Sequence, residues 1–393
     1  MKVLKAKVSE LKCKKCGFCK ESVCPSIDYC IGCGACYLAC PYEAVELTEH
    51  ESKEEVAIKI DNEKYSVPAR ITVKKALELA GYKIFAPCEV GGCYSCTVLV
   101  DNEVERSCVT TVKDGMEILT QIPNDYIPKR IVHGFTPHLV GGVGTPWELK
   151  NLGGYIEVAC FAAGCNLRCP QCQNWTTTYC GKDIALTPKV TAEMMTRARK
   201  EFRVDRMAIS GGEPTLNRKW LLQYVRELKK LNPDKDARIH LDTNATILTE
   251  DYIDKLVNAG MTDIGIDLKG LELATFQKIT GLKNKELAEK YLTTEWHALK
   301  YSVDKYSEKV FVGAGIPYNK DFMSFEELRK IGEKIRSIDE NIQVCALDYR
   351  GEFRSKIARP SYSEMLKVWR ILHEIGLKTV ICQTPFGHLG PEL

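Results

Sequence analysis

Beyond residue 150 the chain alternates short apolar runs with amphipathic stretches. The apolar runs read as strands at 155–160, 206–209, 237–241, 263–268, 308–313 and 342–347. Hydrophobic positions recurring every three or four residues predict helices near 191–203, 218–231, 249–259, 272–292, 324–337 and 361–376. Strand and helix in alternation imply parallel strands joined by crossover helices, an α/β architecture. Before residue 120 the pattern is different. Val56 to Val67 alternates apolar and polar residues around Asp61-Asn62, which predicts a hairpin. Thr72 is placed to cap a helix from Val73 to Ala80 that Gly81 ends, and a second hairpin is expected from Thr97 to Thr110. Residues 120–152 hold Pro123, Pro128, Pro137, Pro146 and the run Gly141-Gly142-Val143-Gly144. Ile131, Val132, Phe135, Leu139 and Trp147 are too apolar for a free linker, so a packed connection is expected there. The divisions are therefore 1–50, 51–119, 120–152 and 153–393.

Composition changes this picture little. A chain of 393 residues, 45% apolar and 27% charged, fits two or three ordinary soluble domains. A formal charge of +3 gives no support to a nucleic-acid partner. No run approaches the roughly 18 apolar residues of a spanning helix, and the first residues lead into no apolar core or cleavage site, so no membrane role and a cytoplasmic location are expected.

The 19 cysteines change it a great deal, because grouped cysteines in a reducing compartment read as metal ligands. Cys165, Cys169 and Cys172 stand at C-x3-C-x2-C just past the first predicted barrel strand. Three thiolates can hold three irons of a cubane and leave the fourth iron open, unlike the four-cysteine sets of electron-transfer clusters. Cys30, Cys33, Cys36 and Cys40-Pro41 form C-x2-C-x2-C-x3-C-P, and Cys13, Cys16, Cys19 and Cys24-Pro25 nearly repeat it, with four residues between Cys19 and Cys24. Cys88, Cys93, Cys96 and Cys108 have plant-type [2Fe-2S] spacing. Cys160, Cys180, Cys345 and Cys382 fit buried structural thiols. Seven lysines against two glutamates in residues 1–24 read mainly as a solvated face that offsets thiolate charge.

The cysteine loop, followed by Gly211-Gly212-Glu213-Pro214 after a strand, resembles the radical S-adenosylmethionine (SAM) superfamily over roughly residues 150 to 385. That resemblance implies a partial (β/α)6 barrel with ligand groups at the carboxyl ends of its strands. It also implies an open [4Fe-4S] cluster on Cys165, Cys169 and Cys172 that chelates SAM and splits it to a 5′-deoxyadenosyl radical. The Gly211 to Pro214 segment would take the SAM ammonium, and Thr243 and Asn244 its carboxylate or ribose. Gln171 stands where an aromatic usually packs on adenine, and Trp175 lies nearby in sequence.

Asp242-Thr243-Asn244 with Asp267-Leu268-Lys269 is similar to the glycyl-radical-enzyme activases of the pyruvate formate-lyase activating-enzyme type. Carried over, Asp242, Thr243 and Asp267 would help hold a monovalent cation, Na+ or K+, beside SAM. The amino-terminal runs resemble a two-cluster ferredoxin, which implies one [4Fe-4S] cluster on Cys13, Cys16, Cys19 and Cys40 and another on Cys24, Cys30, Cys33 and Cys36. The middle module resembles the plant-type β-grasp ferredoxin domain with one [2Fe-2S] cluster. With SAM, the expected complement is three [4Fe-4S] clusters and one [2Fe-2S] cluster.

The expected function is a radical SAM oxidoreductase of an anaerobe, fed by its own accessory clusters and by a low-potential donor of ferredoxin or flavodoxin type. Its substrate would be a protein partner, as in activases. The alternatives are a maturation enzyme acting on a small molecule or side chain, and a non-catalytic electron-transfer subunit. Tyr349, Arg350 and Arg354 are placed to reach the barrel mouth, and a surface loop explains them equally well.

Overall fold

The computed structural model describes residues 1–26, 28–150 and 153–392. The chain divides into two compact units. The first comprises Met1–Val132, Ala162–Asn166 and Asn174–Thr187, and the second His133–Phe161, Leu167–Gln173 and Pro188–Leu393.

In the first unit, strand Lys2–Val8 pairs antiparallel with Val45–Glu51, in register from Lys2 opposite Glu51 to Val8 opposite Val45. This ribbon brackets both amino-terminal cysteine runs. Among the described residues a second sheet has five strands, in the order Glu63–Pro68, Glu55–Ile60, Glu117–Leu119, Thr97–Val100, Glu103–Arg106. Its two hairpins turn on Asp61-Asn62 (φ 46° and 75°) and Asp101-Asn102 (φ 50° and 68°). Asn and Asp tolerate the left-handed region that such two-residue turns demand. Helix Val73–Leu79 starts where Thr72 Oγ1 accepts from Lys75 N at 3.1 Å. Losing that cap typically costs about 1 kcal/mol. Val73, Ala76 and Leu77 face Ile58, Ile60, Val98 and Ile118 in one buried cluster. The second hairpin is shorter than its pattern suggests, ending at Arg106. Ser107 then turns back, its N and Oγ both donating to Cys96 O at 3.1 and 2.7 Å, which brings Cys108 to Cys96.

The second unit is an α/β sheet whose strands we number β1 (Glu157–Ala162), β2 (Arg206–Gly211), β3 (Arg238–Thr243), β4 (Asp263–Asp267), β5 (Phe311–Tyr318), β6 (Gln343–Asp348) and β7 (Thr379–Thr384). They lie side by side in that order, and β2 to β7 pair in parallel. The crossovers carry α1 (Pro188–Phe202), α2 (Arg218–Leu231), α3 (Glu250–Ala259), α4 (Leu273–Thr280), α5 (Lys285–Tyr306), α6 (Phe325–Ile338) and α7 (Tyr362–Glu374). This is an α/β partial barrel, as the resemblance implies. The sequence pattern merges α4 and α5 into one helix. The chain breaks at Gly281, which is left-handed at φ 70°, and restarts where Asn284 caps Leu287 N at 2.9 Å. β7 escapes the pattern of six because its polar Gln383 and Thr384 shorten the apolar run.

Register sorts the side chains into two faces. Leu241, Ile264 and Val312 lie in one apolar row, and Ala314, Val344 and Val380 in another. The intervening positions carry Asp242, Gly265 and Gly313. Against this second face lies a strap, residues 140–147. A side chain at Gly265 would meet Gly144 N, and one at Gly315 would meet Val143 Cγ2 at 3.0 Å. Glycines in these strands mark where another backbone approaches closely. Gln343 Nε2 donates to Val143 O and Thr145 O at 3.2 and 2.8 Å, and Lys150 Nζ to Val140 O and Gly142 O at 2.8 and 3.1 Å. The packed connection expected from 120–152 thus contains a strand, Arg130–His138, and this strap. Ile131 and Val132 are buried as their character suggests, whereas Leu139 is 61% exposed.

Candidate functional site

In the second unit, chemistry-bearing side chains collect at the carboxyl ends of β2 to β4 and on the loop of residues 167–173. This loop, which bears Cys169 and Cys172, is pinned from three sides. Arg168 N donates to Thr280 O at 2.8 Å, Gln171 Nε2 to Ile279 O at 2.8 Å, and both Arg354 N and Ser355 N to Pro170 O at 2.9 Å. Gln171 is therefore buried and ties the loop to the end of α4, so it offers no surface for adenine. Burial pushes the Cys169 thiol up to about 12, against the pull of the Lys269 ammonium. Lys269 Nζ is held at 2.9 Å by Asp267 and lies 5.9 Å from the Tyr349 ring. Burial likewise pushes the Tyr349 hydroxyl up, with Lys269 opposing and Cys169 and Cys172 adding to it. Two soft thiols beside a fixed ammonium suit a metal centre, because metal binding takes them as thiolates and releases their protons.

Glu213 is fully buried and its carboxylate is a knot. Oε1 accepts from Thr215 N (2.9 Å), Thr215 Oγ1 (2.6 Å) and Thr243 Oγ1 (2.7 Å), and Oε2 from Asn244 N (2.8 Å). The Gly-Gly-Glu-Pro turn after β2 is thereby tied to the end of β3. Asn244 Oδ1 in turn accepts from Thr246 N and Oγ1 at 3.1 and 2.7 Å.

In the first unit the accessory cysteines converge as four-thiol groups. Cys13, Cys16, Cys19 and Cys40 line one cavity of about 270 Å³, and Cys24, Cys30, Cys33 and Cys36 line another of about 390 Å³. Burial raises the Cys36 thiol to about 12, with Cys33, Cys24 and Cys30 adding to it. Cys88, Cys93, Cys96 and Cys108 are at most 3% exposed, and Cys88 and Cys93 approach to 3.1 Å. Buried polar groups of one kind, gathered without a counter-charge, fit the shell of a cationic cluster. Gly164, at φ 84°, lies against this last group. A Cβ there would stand 2.9 Å from the Cβ atoms of both Cys88 and Cys93. Phe18 and Trp175 pack edge to face with ring centroids 4.9 Å apart, so Trp175 serves the first unit's packing.

The Radical SAM superfamily profile matches residues 160–296, and that of a 2Fe-2S iron-sulfur cluster binding domain matches 53–123. The chain carries a radical SAM superfamily domain. A probable GTP 3′,8-cyclase of Methanococcus aeolicus is 35% identical over 128 residues, 31% of this chain and 41% of that protein. An AdoMet-dependent heme synthase of Methanosarcina barkeri is 28% identical over 128 residues, 30% of this chain and 32% of that protein. The chain thus spans less than half the length of either relative. Among solved structures, a radical SAM methyltransferase from Sphaerobacter thermophilus superposes with a TM-score of 0.43 at 15% identity, covering 59% of this chain and 70% of that one.

Within the radical SAM domain, a buried ion network occupies the strap-facing side. Arg206 Nη1 meets Asp263 at 2.9 Å, Arg206 Nε lies 3.8 Å from Glu157, and Arg206 Nη2 donates to Gly144 O at 3.1 Å. His240 sits between Glu157 (3.3 Å) and Asp242 (3.1 Å). Burial alone would lower His240, yet the Asp242 and Glu157 carboxylates outweigh it and hold it at about 9. Asp242, Thr243 and Asp267 are thus engaged by His240, Glu213 and Lys269 respectively. Asp242 and Asp267 both line a cavity of about 270 Å³ with Lys150, Gln173, Ser210 and His388. Sequence reasoning passed over Glu157, Arg206, His240 and Lys150. The available signal was a charged or titratable residue at alternate positions of otherwise apolar strands, as in Arg238-Ile239-His240-Leu241-Asp242. Cys160, Cys345 and Cys382 are buried thiols of this unit, with Cys160 Sγ 3.7 Å from the Tyr224 hydroxyl, and Cys180 is buried in the first unit.

Proposed function

We propose that the protein is a radical SAM enzyme that cleaves S-adenosylmethionine reductively, draws its electrons through its own accessory iron-sulfur centres, and modifies a small molecule. Cys165, Cys169 and Cys172 would hold an open [4Fe-4S] cluster, which supplies the electron that splits the sulfonium to methionine and a 5′-deoxyadenosyl radical. Cys88, Cys93, Cys96 and Cys108 would hold a [2Fe-2S] centre in a β-grasp setting, and the two amino-terminal groups a [4Fe-4S] cluster each. The remaining work falls to this chain's own residues. Glu213 fixes the turn after β2 relative to Thr243 and Asn244, so acceptors and donors for the SAM ammonium and carboxylate are in place before it binds. Lys269 holds positive charge beside Cys169.

The observation that carries the reading is the contact of Gly164 with Cys88 and Cys93, which leaves no side chain between the [2Fe-2S] ligand loop and the residue preceding Cys165. The small-molecule form is favoured by the relatives, named for a cyclase of GTP and a synthase of heme. A second reading, an activase that makes a glycyl radical on a partner protein with a monovalent cation at Asp242, Thr243 and Asp267, rests on the sequence pattern. In that form the second carboxylate oxygens of Asp242 and Asp267 would serve the cation, the first being engaged by His240 and Lys269.

The test replaces Cys88 with Ala and measures 5′-deoxyadenosine formed with a flavodoxin donor and with dithionite. Loss confined to the flavodoxin assay supports the relay. Equal loss with both reductants in a folded protein rejects it. A glycyl doublet on a co-purified protein, read by electron spin resonance, would favour the activase form.

A further inference from the structure

Among the described residues of the first unit, the amino-terminal cysteines offer the most open point for an electron to be handed in from outside. Of the 19 cysteines, all among the described residues, Cys16 alone is exposed. Its group is also the far end of a chain of neighbours. Cys19 of the first group lines a common cavity with Cys24, Cys30, Cys33 and Cys36, so the two amino-terminal groups are adjacent. Cys33 and Cys108 line a common cavity of about 480 Å³, which links the second group to the buried [2Fe-2S] set. That set abuts Gly164. Electron input at the buried end is less direct, since Cys88, Cys93, Cys96 and Cys108 are at most 3% exposed.

Residues 5–20, which surround Cys16 in sequence, carry six lysines and one carboxylate, Glu10. Lys5, Lys7, Lys12, Lys14, Lys15 and Lys20 are all exposed. Only Lys12 has a carboxylate in reach, Glu46 at 4.0 Å, among the described residues. Leu11 is 95% exposed and Tyr42 44%. An exposed leucine on a lysine-rich segment satisfies nothing within its own unit. It matches an interface with a small apolar contact and a like-signed rim, where charge guides encounter and the apolar contact holds the pair.

We propose that residues 5–20 are the docking surface for an acidic one-electron carrier protein of low potential. The proposal rests on the relay described under the proposed function and names its external partner and its point of contact. In the step, the carrier is oxidised by one electron and the iron-sulfur set of Cys13, Cys16, Cys19 and Cys40 is reduced by one. No bond forms or breaks and no proton is transferred.

The experiment uses the full, reconstituted protein with a reduced flavodoxin as the probe. Binding is read by calorimetry and cluster reduction by stopped-flow absorbance. A Lys12→Glu/Lys15→Glu variant should bind about tenfold more weakly and be reduced about tenfold more slowly at low salt, the difference shrinking as salt screens it. Leu11→Ser, which leaves the charges in place, should weaken binding with unchanged cluster potentials. A Lys285→Glu/Lys290→Glu control, on exposed residues of α5, should behave as wild type. An unchanged flavodoxin rate in the first variant, or an equal loss in the control, would overturn the docking surface. The underlying relay stands or falls separately, on whether Cys88→Ala loses 5′-deoxyadenosine formation with flavodoxin while keeping it with dithionite.

Discussion

At the scale of single residues, the account turns on two positions whose neighbours leave no slack. Gly164 combines a left-handed backbone with thiol-bearing neighbours on the side where a Cβ would project. Gly164→Val should therefore disturb the [2Fe-2S] loop more than the barrel. The expected outcome is a reduced [2Fe-2S] content per chain, counted by iron and sulfide analysis, with a far-ultraviolet circular dichroism spectrum like wild type. Glu213 is the second position. Four donors converge on it, so Glu213→Ala would strand buried hydroxyl and amide groups. At about 1–3 kcal/mol for an unpaired buried group, a loss of about 3 kcal/mol or more is expected in denaturant unfolding. Glu213→Gln, which keeps the shape, should lose less. The Gly-Gly-Glu motif was legible in the sequence. Its role as a tie between two strand ends was not, because the partners Thr243 and Asn244 lie thirty residues on and meet it only through the parallel pairing of β2 and β3.

At the scale of elements, patterns of period 3.6 and 2 located most of the helices and strands of the barrel to within a few residues. They failed where one local feature overrode the period. Gly281 divides α4 from α5, and Ser107 ends the second hairpin by folding back on Cys96. The strap was the harder case. Its proline and glycine content reads as a connection, and only the facing glycines Gly265, Gly313 and Gly315 betray that a backbone runs across the sheet. Gly144→Ala would push a methyl against the Ile264 carbonyl carbon and Gly265 N, at 2.5 and 2.6 Å, and strand backbone cannot move aside as a flexible side chain can. Overpacking of this kind costs about 1–3 kcal/mol, which a lowered melting temperature would report. In the ion network beneath the strap, Arg206→Met leaves Asp263 with Arg238 at 3.0 Å and Glu157 with His240 at 3.3 Å, so a loss below the ~3–5 kcal/mol of a buried charge left without any partner is expected in denaturant unfolding.

At the scale of the whole molecule, the cysteine groups are divided between the two units, with Cys165 in the first. The accessory cysteines fall in the first unit, while Cys169, Cys172 and the turn of Glu213 fall in the second. Spacing divided the thiols into runs, and the resemblance to two-cluster ferredoxins exchanged Cys24 and Cys40 between the first two; Cys13, Cys16, Cys19 and Cys40 line one cavity and Cys24, Cys30, Cys33 and Cys36 another. Nothing in the spacing said which group faces solvent; that depends on the ribbon of Lys2–Val8 and Val45–Glu51, whose pairing joins residues more than thirty apart.

The buried His240 also makes stability depend on pH. Its folded value, about 9, lies above the ordinary 6.5, so its contribution is fully present below about pH 6.5 and is lost as pH rises through about 9. Melting temperatures recorded from pH 6 to 10 should fall more steeply for wild type than for His240→Gln; parallel curves would contradict the charge assigned to this histidine.

The measurement that bears most directly on the central claim is the product count when SAM is added to anaerobically reconstituted, chemically reduced protein. Equal amounts of 5′-deoxyadenosine and methionine from wild type, and neither from Cys169→Ala, is the predicted result. No 5′-deoxyadenosine from wild type that carries its full iron complement, or an undiminished yield from Cys169→Ala, would contradict the account.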